Sequence, residues 1–566
     1  MKVGTKQWLL LEMNTRLVAY VAVATYTLLI VIPLWLAVDR LVWVAGFDVT
    51  GWISSLDENY ISKGVFQFTI MQAVLSSIAT LAIGIPIAWQ LGRYEWTFQT
   101  IIRSLLTMPF VMPSIVAAMG FMHLIGENGL NIRNDSSTWL WVLIIAHAWF
   151  NLSLVIRFCE PVLSTLDPSL EEQLRLLPEG RTRLGRFRYL WFPLLIPSIA
   201  AAACMTFVFS FTSFALVKWI TLGENTLESM MADIGSSAGI PGYMISKNEV
   251  ILGSSLIQFT VLLFSLWLMT WLQNRRQSLL PAANEKIVKT KNNAGWLVII
   301  PAICFAVIPL ATLIVSSFRV TETNLDGSRT YWSTEGWSYA FSATNSLPSG
   351  WDALYNSIGY ALICLMIALP LGWTLAQTIN DLEENSPRLA RILDVFTMLP
   401  FAVSSVMIGL GVMLGMIKIN PEFFYSIWFT PVIAHIMITT PFVVRIILPA
   451  MRSFDAKYDE CGQTLGMSKI KRFFLIKLPM LRGSILVAAI FTIAMSLGEF
   501  GASWVVTRNS DWTTLPVMID SIRAFPYNEP LVPPAANAVS SVLMLIALIL
   551  FISSEKFRPK RDGGMF

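Results

Sequence analysis

The sequence carries few charged side chains for its length. Of 566 residues, 13% are Asp, Glu, Lys or Arg and three are His, whereas about a quarter of the residues in an average soluble protein are charged. Apolar residues make up 55% of the chain, and its mean hydropathy is +0.62. This composition excludes a soluble globular protein and favours a membrane protein. The net charge of +4 does not indicate a nucleic-acid partner.

Motifs for catalysis and metal binding are also missing. The five cysteines include no C-x-x-C pair, so we predict neither a disulfide nor a metal site. No glycine is followed by lysine, which excludes a phosphate-binding loop of the G-x-x-x-x-G-K-[ST] type and ATP hydrolysis by that route. We therefore expect no enzyme activity, no catalytic residue and no cofactor.

Long apolar runs dominate the sequence instead. A helix needs about 20 apolar residues to cross a bilayer core, and we predict twelve such spans, six in each half of the chain. The first is too long for the apolar core of a signal peptide and lacks a small-residue cleavage site, so we expect it to be retained. The predicted spans are Leu17–Val38, Val65–Leu91, Ser104–Ile125, Trp139–Cys159, Phe192–Val217, Val250–Gln273, Trp296–Ser316, Ala353–Ile379, Val395–Ile417, Ile427–Pro449, Leu478–Val505 and Ala535–Ile552.

Lys and Arg residues predict the orientation of these spans. With both termini in the cytoplasm, the inside loops hold roughly three quarters of the basic residues, which is a strong positive-inside signal. A polar, basic segment then separates the two sets of six spans. We predict a first half at 1–273, a cytoplasmic linker at 274–295 and a second half at 296–566.

The second half repeats the first at a nearly constant offset. Ala146-His147 recurs as Ala434-His435, and Val155-Ile156-Arg157 recurs as Val443-Val444-Arg445, each 288 positions later. Pro161, Asp167 and Glu172 recur at the same offset, and Pro86, Pro109 and Pro193 recur at 284, 291 and 286. A repeat that contains several apolar spans is typical of a transporter built from two pseudo-symmetric halves with a path between them.

Four ionisable residues within the spans have two interpretations each. His147 and His435 either hydrogen-bond to neighbouring helices, which is the more common arrangement, or belong to a proton relay. Arg157 and Arg445 lie near the inside ends of equivalent helices, where snorkelling to the interface is favoured and an ion pair is the alternative.

The second long inside loop predicts a helical elbow. Phe454, Tyr458, Cys461 and Leu465 are spaced four, three and four residues apart, which places them on one face of a short helix. Gly466 follows, where a helix C-terminus requires a positive φ. The first long inside loop has the same apolar spacing in Leu166, Leu170, Leu174 and Leu177, but Pro178 stands at the position of the glycine.

The second loop resembles the cytoplasmic signature of binding-protein-dependent ABC importer permeases, E-A-A-x(3)-G-x(9)-I-x-L-P. Glu460, Gly466, Ile476 and Leu478-Pro479 fall at the spacing of this signature, while Cys461 and Gly462 replace its two alanines. The first loop is a weaker copy, with Glu171-Glu172 and with Pro193 two residues late. The segment 496–502 resembles permeases for ferric iron, thiamine, sulfate and molybdate, and fused halves are typical of the ferric-iron and thiamine systems.

The resemblance implies an all-α polytopic protein of the type I ABC importer permease fold in a bacterial inner membrane. It implies that each inside loop binds one subunit of a separate homodimeric ATPase, and that a periplasmic binding protein delivers the solute. The solute itself is not readable. The residues that we assign to the two ATPase-coupling loops are Glu460, Gly466, Phe454, Tyr458, Leu465, Pro479, Glu171, Glu172, Leu170 and Pro193.

Glu499 is the single intramembrane carboxylate that we expect, near the outer end of its span. It either reaches headgroup water or a neighbouring helix, or it belongs to a gate between the halves. An ion-coupled secondary transporter with twelve helices is the alternative function, and it would need intramembrane acid–base pairs. The residues that we assign to the translocation path or gate are Glu499, Ser496, Ser210, Ser213 and Phe500.

Overall fold

The computed structural model is almost entirely helical. It describes residues 2–58, 62–126, 129–130, 136–165, 168–221, 223–235, 245–277, 290–324, 327–342, 348–454, 456–507, 510–524 and 529–557. Leu166 of the first elbow, residues 278–289 of the predicted linker and the basic C-terminal residues 558–561 lie outside the described residues.

The described part of the first half contains twelve helices and one two-residue strand. The helices are α1 (Lys2–Ala45), α2 (Val49–Glu58), α3 (Val65–Arg93), α4 (Gln99–Val111), α5 (Ser114–Ile125), α6 (Ser136–Thr165), α7 (Pro168–Leu176), α8 (Arg183–Arg186), α9 (Phe192–Phe211), α10 (Ala215–Ile220), α11 (Leu227–Gly235) and α12 (Ile245–Gln277), and the strand is β1 (Tyr94–Glu95).

The second half follows the same course, with an added hairpin after its first helix. The strands are β2 (Thr290–Lys291), which pairs in parallel with β1, and the antiparallel pair β3 (Arg319–Asn324) and β4 (Gly327–Trp332). The helices are α13 (Trp296–Ser316), α14 (Glu335–Phe341), α15 (Gly350–Asn385), α16 (Pro387–Thr397), α17 (Leu399–Ala402), α18 (Ser405–Ile419), α19 (Pro421–Ser426), α20 (Thr430–Arg452), α21 (Ala456–Thr464), α22 (Lys469–Arg472), α23 (Leu478–Gly498), α24 (Gly501–Val506), α25 (Leu515–Arg523) and α26 (Val532–Phe557).

Some of the twelve predicted spans are interrupted in the structure. Within the described residues, ten unbroken helices are long and apolar enough to cross a membrane, or eleven if the bent pair α4–α5 is one span. The predicted span Ser104–Ile125 bends by 100° between α4 and α5, where Met112 and Pro113 are extended. Its equivalent, Val395–Ile417, is divided among α16, α17 and α18. Proline lacks the backbone donor that a continuous helix requires, so the prolines at these breaks favour separate helices.

Two further predicted spans are shorter than expected, at equivalent positions. The predicted span Phe192–Val217 ends as α9 at Phe211, and the predicted span Leu478–Val505 ends as α23 at Gly498. In each half a short helix follows the break, α10 in the first and α24 in the second. The repeat therefore preserves the interruption of the fifth long helix, which hydropathy alone does not reveal.

The first helix of each half packs against the other half. Helix α1 lies along α18, and α13 lies along α5. Glycines permit the close approach: a Cβ at Gly415 would lie 3.2 Å from the backbone of Pro33, and a Cβ at Gly120 would lie 2.7 Å from the carbonyl oxygen of Pro309. The two halves are thus interleaved, and helices from both surround the centre of the molecule.

Candidate functional site: two elbows and an axial contact

The second elbow is closed by a left-handed glycine, as predicted. Helix α21 ends at Thr464, and Gly466 has φ +72°. The amide of Gly466 donates to the carbonyl of Gln463 and that of Met467 donates to the carbonyl of Gly462, each at 3.0 Å. These are the two hydrogen bonds of a Schellman cap. Among the described residues nothing lies within 4 Å of a Cβ built at Gly466, so the requirement for glycine comes from the backbone conformation.

The tip of the second elbow exposes apolar side chains. Tyr458 is 53% exposed and Leu465 is 79% exposed, while Glu460 is exposed beside them and Phe454 is half-buried. The rings of Phe454 and Tyr458 lie 6.2 Å apart. The predicted apolar face is therefore present in part: Tyr458 and Cys461 lie within α21 and are exposed, Leu465 follows the last residue of α21, and Phe454 precedes the helix. An exposed apolar helix face of this kind fits the groove of a partner protein.

The first elbow turns by a different mechanism. Helix α7 ends at Leu176, Leu177 is extended (φ −87°, ψ 148°), and residues Pro178–Gly180 form a single 3₁₀ turn. A Cβ at Gly180 would lie 1.9 Å from the carbonyl oxygen of Leu174, so this turn closes only with glycine. Sequence reasoning missed Gly180 because it comes two residues after the position that aligns with Gly466.

The apolar face of the first elbow also differs from the prediction. Leu170 and Leu174 are half-buried, and Leu170 packs against the core of the first half. The exposed apolar side chains at this tip are Leu176, at 82%, and Leu177, at 54%. The accessible surface therefore lies closer to the turn than the four-leucine spacing indicates.

An ion pair that recurs in both halves fixes each elbow. Glu171 Oε1 lies 3.2 Å from Nε of Arg186, and Asp459 Oδ1 lies 3.1 Å from Nε of Arg472. Glu171 corresponds to Asp459, and Arg186 corresponds to Arg472, in the repeat. Glu171 also pairs with Arg93 at the end of α3 and with Arg175. The side chain of Glu171 is only 13% exposed, so its contacts orient the elbow within the chain, whereas Glu172 and Glu460 remain on the surface.

Each elbow joins its long helix through one π-helical turn. These turns span Phe187–Trp191 and Phe473–Lys477, 286 positions apart. Pro193 and Pro479 each follow as the second residue of α9 and of α23, where a missing backbone donor costs little. The two extra residues that delay Pro193 in the sequence therefore lie before the π-helical turn. The two long helices start in equivalent ways.

The two halves touch through equivalent residues at the far ends of these helices. Phe214 and Phe500 are repeat partners at the offset of 286, and their rings stack with centroids 5.1 Å apart and planes 16° apart. A twofold rotation brings a position into contact with its own equivalent only at the rotation axis. The Phe214–Phe500 contact therefore marks the pseudo-twofold axis, about 30 Å from the elbows, since α9 has 20 residues.

Buried hydroxyl groups surround this axial contact. The carbonyl oxygen of Ser210 accepts from Gln72 Nε2 at 2.8 Å and its hydroxyl accepts from Asn151 Nδ2 at 3.1 Å. In the second half, Ser496 lies 2.8 Å from His435 Nδ1, and Ser503 lies 2.8 Å from His435 Nε2. His147 likewise contacts the hydroxyl of Ser76, at 3.1 Å. Both imidazoles thus hydrogen-bond to neighbouring helices, the first of the two interpretations given for them.

Glu499 lies at the break between α23 and α24. Its Oε1 accepts from the amide of Ala502 at 2.9 Å. Ser213, the equivalent residue, lies at the corresponding break in the first half and is half-buried. Glu499, Phe500 and Ser496 of the second half therefore lie at the same end of the molecule as Ser210 and Phe214 of the first half.

Two further carboxylates, Glu228 and Asp520, are buried near the breaks. Glu228 on α11 is fully buried and accepts from the amide of Val406 at 3.1 Å and from Gln258 Nε2 at 2.5 Å. Asp520 on α25 is 5% exposed. Both were missed because α11 and α25 fall in segments that read as outside loops. One available signal was the recurrence of Thr226-Leu227 as Thr514-Leu515 at the main offset of 288.

Arg445 forms an ion pair, the alternative given for it. Arg445 lies 3.8 Å from Asp394 on α16, and its Nε donates to the sulfur of Met398 at 2.9 Å. In the first half Arg103 pairs with Glu160. Arg103 and Asp394 are equivalent in the repeat at the offset of 291. An ion pair therefore joins α4 to α6 and α16 to α20, with the basic residue on α4 in the first half and on α20 in the second.

Comparison with known proteins decides the family. The profile of the binding-protein-dependent transport system inner membrane component matches this chain twice, at residues 81–278 and 368–562. The chain belongs to this family. The two matches fall on the two repeats, and each contains one elbow and one half of the axial contact.

Full-length relatives share the fused architecture. The thiamine transport system permease protein ThiP of Brucella abortus (strain 2308) is 24% identical over 523 residues, which is 88% of each chain. ThiP of Escherichia coli (strain K12) is 22% identical over 568 residues, which is 97% of this chain and 96% of that one. The sulfate transport system permease protein CysT of Salmonella typhimurium is 31% identical over 161 residues, which is 27% of this chain and 57% of that one.

Family membership and the apolar helices give the function of the chain. It is a multi-pass permease of the inner membrane and the transport component of a binding-protein-dependent ABC importer. The family implies a periplasmic binding protein and an ATPase as partners. The alternative of an ion-coupled secondary transporter receives no support from these relatives.

Proposed function

We propose that the two elbows are the sites at which this permease binds its ATPase, a homodimer of separate chains. The exposed apolar tips carry this proposal: Tyr458 and Leu465 in the second elbow, Leu176 and Leu177 in the first. Each tip is held by the recurring carboxylate–arginine pair, so that movement of the partner would be transmitted to α9 and α23. Closure of the ATPase on ATP would then move both long helices together.

We propose that the elbows, both termini and the linker at 274–295 face the cytoplasm, with sequence halves at 1–273 and 296–566. The pairing of β2 with β1 supports a common side for the end of the linker and the end of α3. The positive-inside pattern of Lys and Arg supports the same orientation.

The solute path runs along the axis between the halves. We propose that the contact between Phe214 and Phe500 is a gate on the periplasmic side, which separates to admit solute from the binding protein. This region is lined by Ser210, Ser213, Ser496 and Glu499. Glu499 follows the last residue of α23, and its carboxylate accepts from the amide of Ala502 in the first turn of α24. Ser210 and Ser496 are buried, and both are already hydrogen-bonded, as is Glu499. We therefore expect these groups to affect the opening of the gate more than the choice of solute.

Thiamine is the first solute to test. It is the solute named in the relatives that align with most of both chains, whereas the sulfate relative aligns with about a quarter of this one. Selection of the solute would belong largely to the binding protein, so the permease need not recognise thiamine tightly.

The decisive experiment reconstitutes this permease with its ATPase and binding protein in liposomes. We expect ATP-dependent uptake of radiolabelled thiamine that requires all three components. The purified permease alone should not hydrolyse ATP. Hydrolysis by the chain alone, or uptake driven by a proton or sodium gradient without ATP, would contradict the proposed function. ATP-dependent uptake of another solute would retain it and replace thiamine.

A further inference from the structure

Asp520 of the second half holds three donors at the axis, two of them from the first half. The ammonium of Lys218 lies 2.8 Å from Oδ1 and 2.9 Å from Oδ2 of Asp520. The indole of Trp219 donates to Oδ1 at 3.0 Å, and the indole of Trp504 donates to Oδ2 at 2.7 Å. With its side chain 7% exposed, this carboxylate is withdrawn from solvent and joins the halves directly.

Aromatic rings enclose the ammonium of Lys218. Its Nζ lies 4.1 Å from the ring centroid of Trp504. The rings of Phe214, Trp219 and Phe500 have their centroids 5.7, 5.8 and 5.9 Å away. An ammonium over aromatic faces is stabilised by the ring quadrupole, and more strongly when water is excluded. Lys218 is thus bound by a carboxylate and two of these rings from the second half.

The position of Lys218 in the repeat places its contact with Trp504 at the axis. Lys218 and Trp504 are repeat partners at the offset of 286, as Phe214 and Phe500 are, so this contact also lies at the pseudo-twofold axis. Two lysines facing each other there would repel, whereas a lysine facing a tryptophan attracts. Asp520 likewise corresponds to Ala232 at the offset of 288. The contact is therefore built from different residues on its two sides, which a symmetric pair of identical chains could not provide.

We propose that the Lys218–Asp520 pair is the latch of the axial gate, a contact that must break each time this end of the permease opens. The inference rests on the gate proposed above. The aromatic rings cover most of the pair, which leaves the side chain of Lys218 22% exposed and that of Asp520 7% exposed. Separation of the halves would expose both charges without their partners. Such a contact stabilises the closed state of the gate. In the open state the pair is broken and does not block the solute path.

The latch is tested in the reconstituted complex of permease, ATPase and binding protein. ATP hydrolysis without binding protein reports how readily the closed gate opens. We expect Lys218→Met to raise this hydrolysis by about fivefold or more, because a cation held by a buried carboxylate and aromatic faces is lost. Lys218→Arg keeps the cation and should stay close to the unmodified complex. Asp520→Asn should behave like Lys218→Met, and the double variant should be no worse than either single one, since both remove one interaction.

A second readout follows the gate itself. In a background without the five native cysteines, Ser213→Cys reports access to the axis through its reaction with a membrane-impermeant thiol reagent. We expect Lys218→Met to raise the rate of this reaction several-fold in the absence of ATP. Lys418→Met is the matched control, because it breaks the Lys418–Asp39 ion pair between α18 and α1 away from the axis and should leave both readouts unchanged.

Three outcomes would overturn the latch. Unchanged hydrolysis and thiol reactivity in Lys218→Met would do so while leaving the gate in place, provided that Glu499→Gln still impairs uptake. Equal effects of Lys218→Met and Lys418→Met would show a general loss of stability. Failure of Lys218→Met and Asp520→Asn to assemble, when Lys218→Arg assembles, would show that the pair holds the fold together and does not act as a latch. Absence of ATP-dependent uptake by the unmodified complex would instead remove the proposed function.

Discussion

The two elbows follow the same course with different backbone chemistry. The second ends α21 with a left-handed glycine, Gly466, in open space. The first has Pro178 at that position and turns through a 3₁₀ segment that ends at Gly180, against the carbonyl of Leu174. In both, a carboxylate one turn into the short helix pairs with an arginine beyond the turn. The ion pair and the exposed apolar tip are therefore the shared requirements, and the turn is free to differ.

The central helix breaks show a second difference between the halves. The N-terminus of α18 in the second half is capped by Ser404, which accepts from Met407, and by Glu228 from the first half. The equivalent helix α5 begins after Pro113, and the described residues give it no side-chain cap. A buried carboxylate at a helix N-terminus is stabilised by the amides there. One break is thus joined across the interface by the carboxyl group of Glu228, and the other is formed by proline.

Gly466→Val should have the largest effect on uptake, because it removes the left-handed turn that distinguishes the second elbow from the first. A β-branched residue strongly resists the left-handed conformation that Gly466 adopts, at a cost of about 2 kcal/mol or more. We expect ATP-dependent uptake to be lost while membrane insertion stays normal, measured by uptake and by the yield of folded permease. Gly466→Asn is the control, because asparagine tolerates positive φ, and it should retain most of the uptake. Equal loss in both variants would show that the glycine is needed for space at the ATPase and not for its backbone.

Glu499→Gln should impair turnover without changing the solute. The amide of glutamine keeps an acceptor for Ala502 but removes the charge at the end of α23. We expect uptake to fall by about fivefold while ATP hydrolysis continues, which is uncoupling of the two activities. Ser213→Ala, at the equivalent position in the first half, should have a smaller effect. Unchanged uptake would return Glu499 to a surface or packing role, and altered solute choice would instead place it in a binding site.

The long helices were predictable from the sequence because each contains an apolar run that needs a bilayer or a buried interface. Helices α3, α6 and α20 contain the predicted spans that begin at Val65, Trp139 and Ile427 with shifts of a few residues. The breaks between α4 and α5 and between α23 and α24 were not predictable from hydropathy, since the apolar composition continues across Pro113 and Glu499.

The sequence predicted site residues that recur in both halves. It did not predict which residues of the two halves contact each other. Gly466 and the candidate path residues Ser210, Ser213, Ser496, Glu499 and Phe500 were found from spacing and repetition. Glu228 and Asp520 were missed, because short helices that follow a break look like loops in a sequence. The packing of α1 against α18 was also hidden, since a local pattern shows that a helix has an apolar surface but not which helix covers it.

Gly180→Ala should disrupt the first elbow less than Gly466→Val disrupts the second. The new methyl group would lie 1.9 Å from the carbonyl oxygen of Leu174, so the turn must shift, but the exposed segment around it has room to move. We expect uptake to fall to a fraction of its normal rate and ATP hydrolysis by the assembled complex to become less dependent on the binding protein. If uptake is unaffected, the first elbow does not need its observed turn for coupling.

Pro178→Ala should have the smallest effect on uptake, and it tests directly whether the two elbows differ at the position of the turn. Pro178 is the first residue of the 3₁₀ turn, where proline fixes φ and its missing amide is not needed for a hydrogen bond within the turn. Alanine can adopt the same conformation, so the change acts mainly by making the unfolded loop more flexible, at a cost of about 0.5–1 kcal/mol. We expect nearly normal uptake, with a slightly lower midpoint of thermal unfolding. Pro178→Ala would reduce uptake strongly only if Pro178 were as necessary for the first turn as Gly466 is for the second. A loss of uptake as large as that of Gly466→Val would therefore show that the two elbows are equally demanding at this position and that the first is no weaker a coupling site than the second.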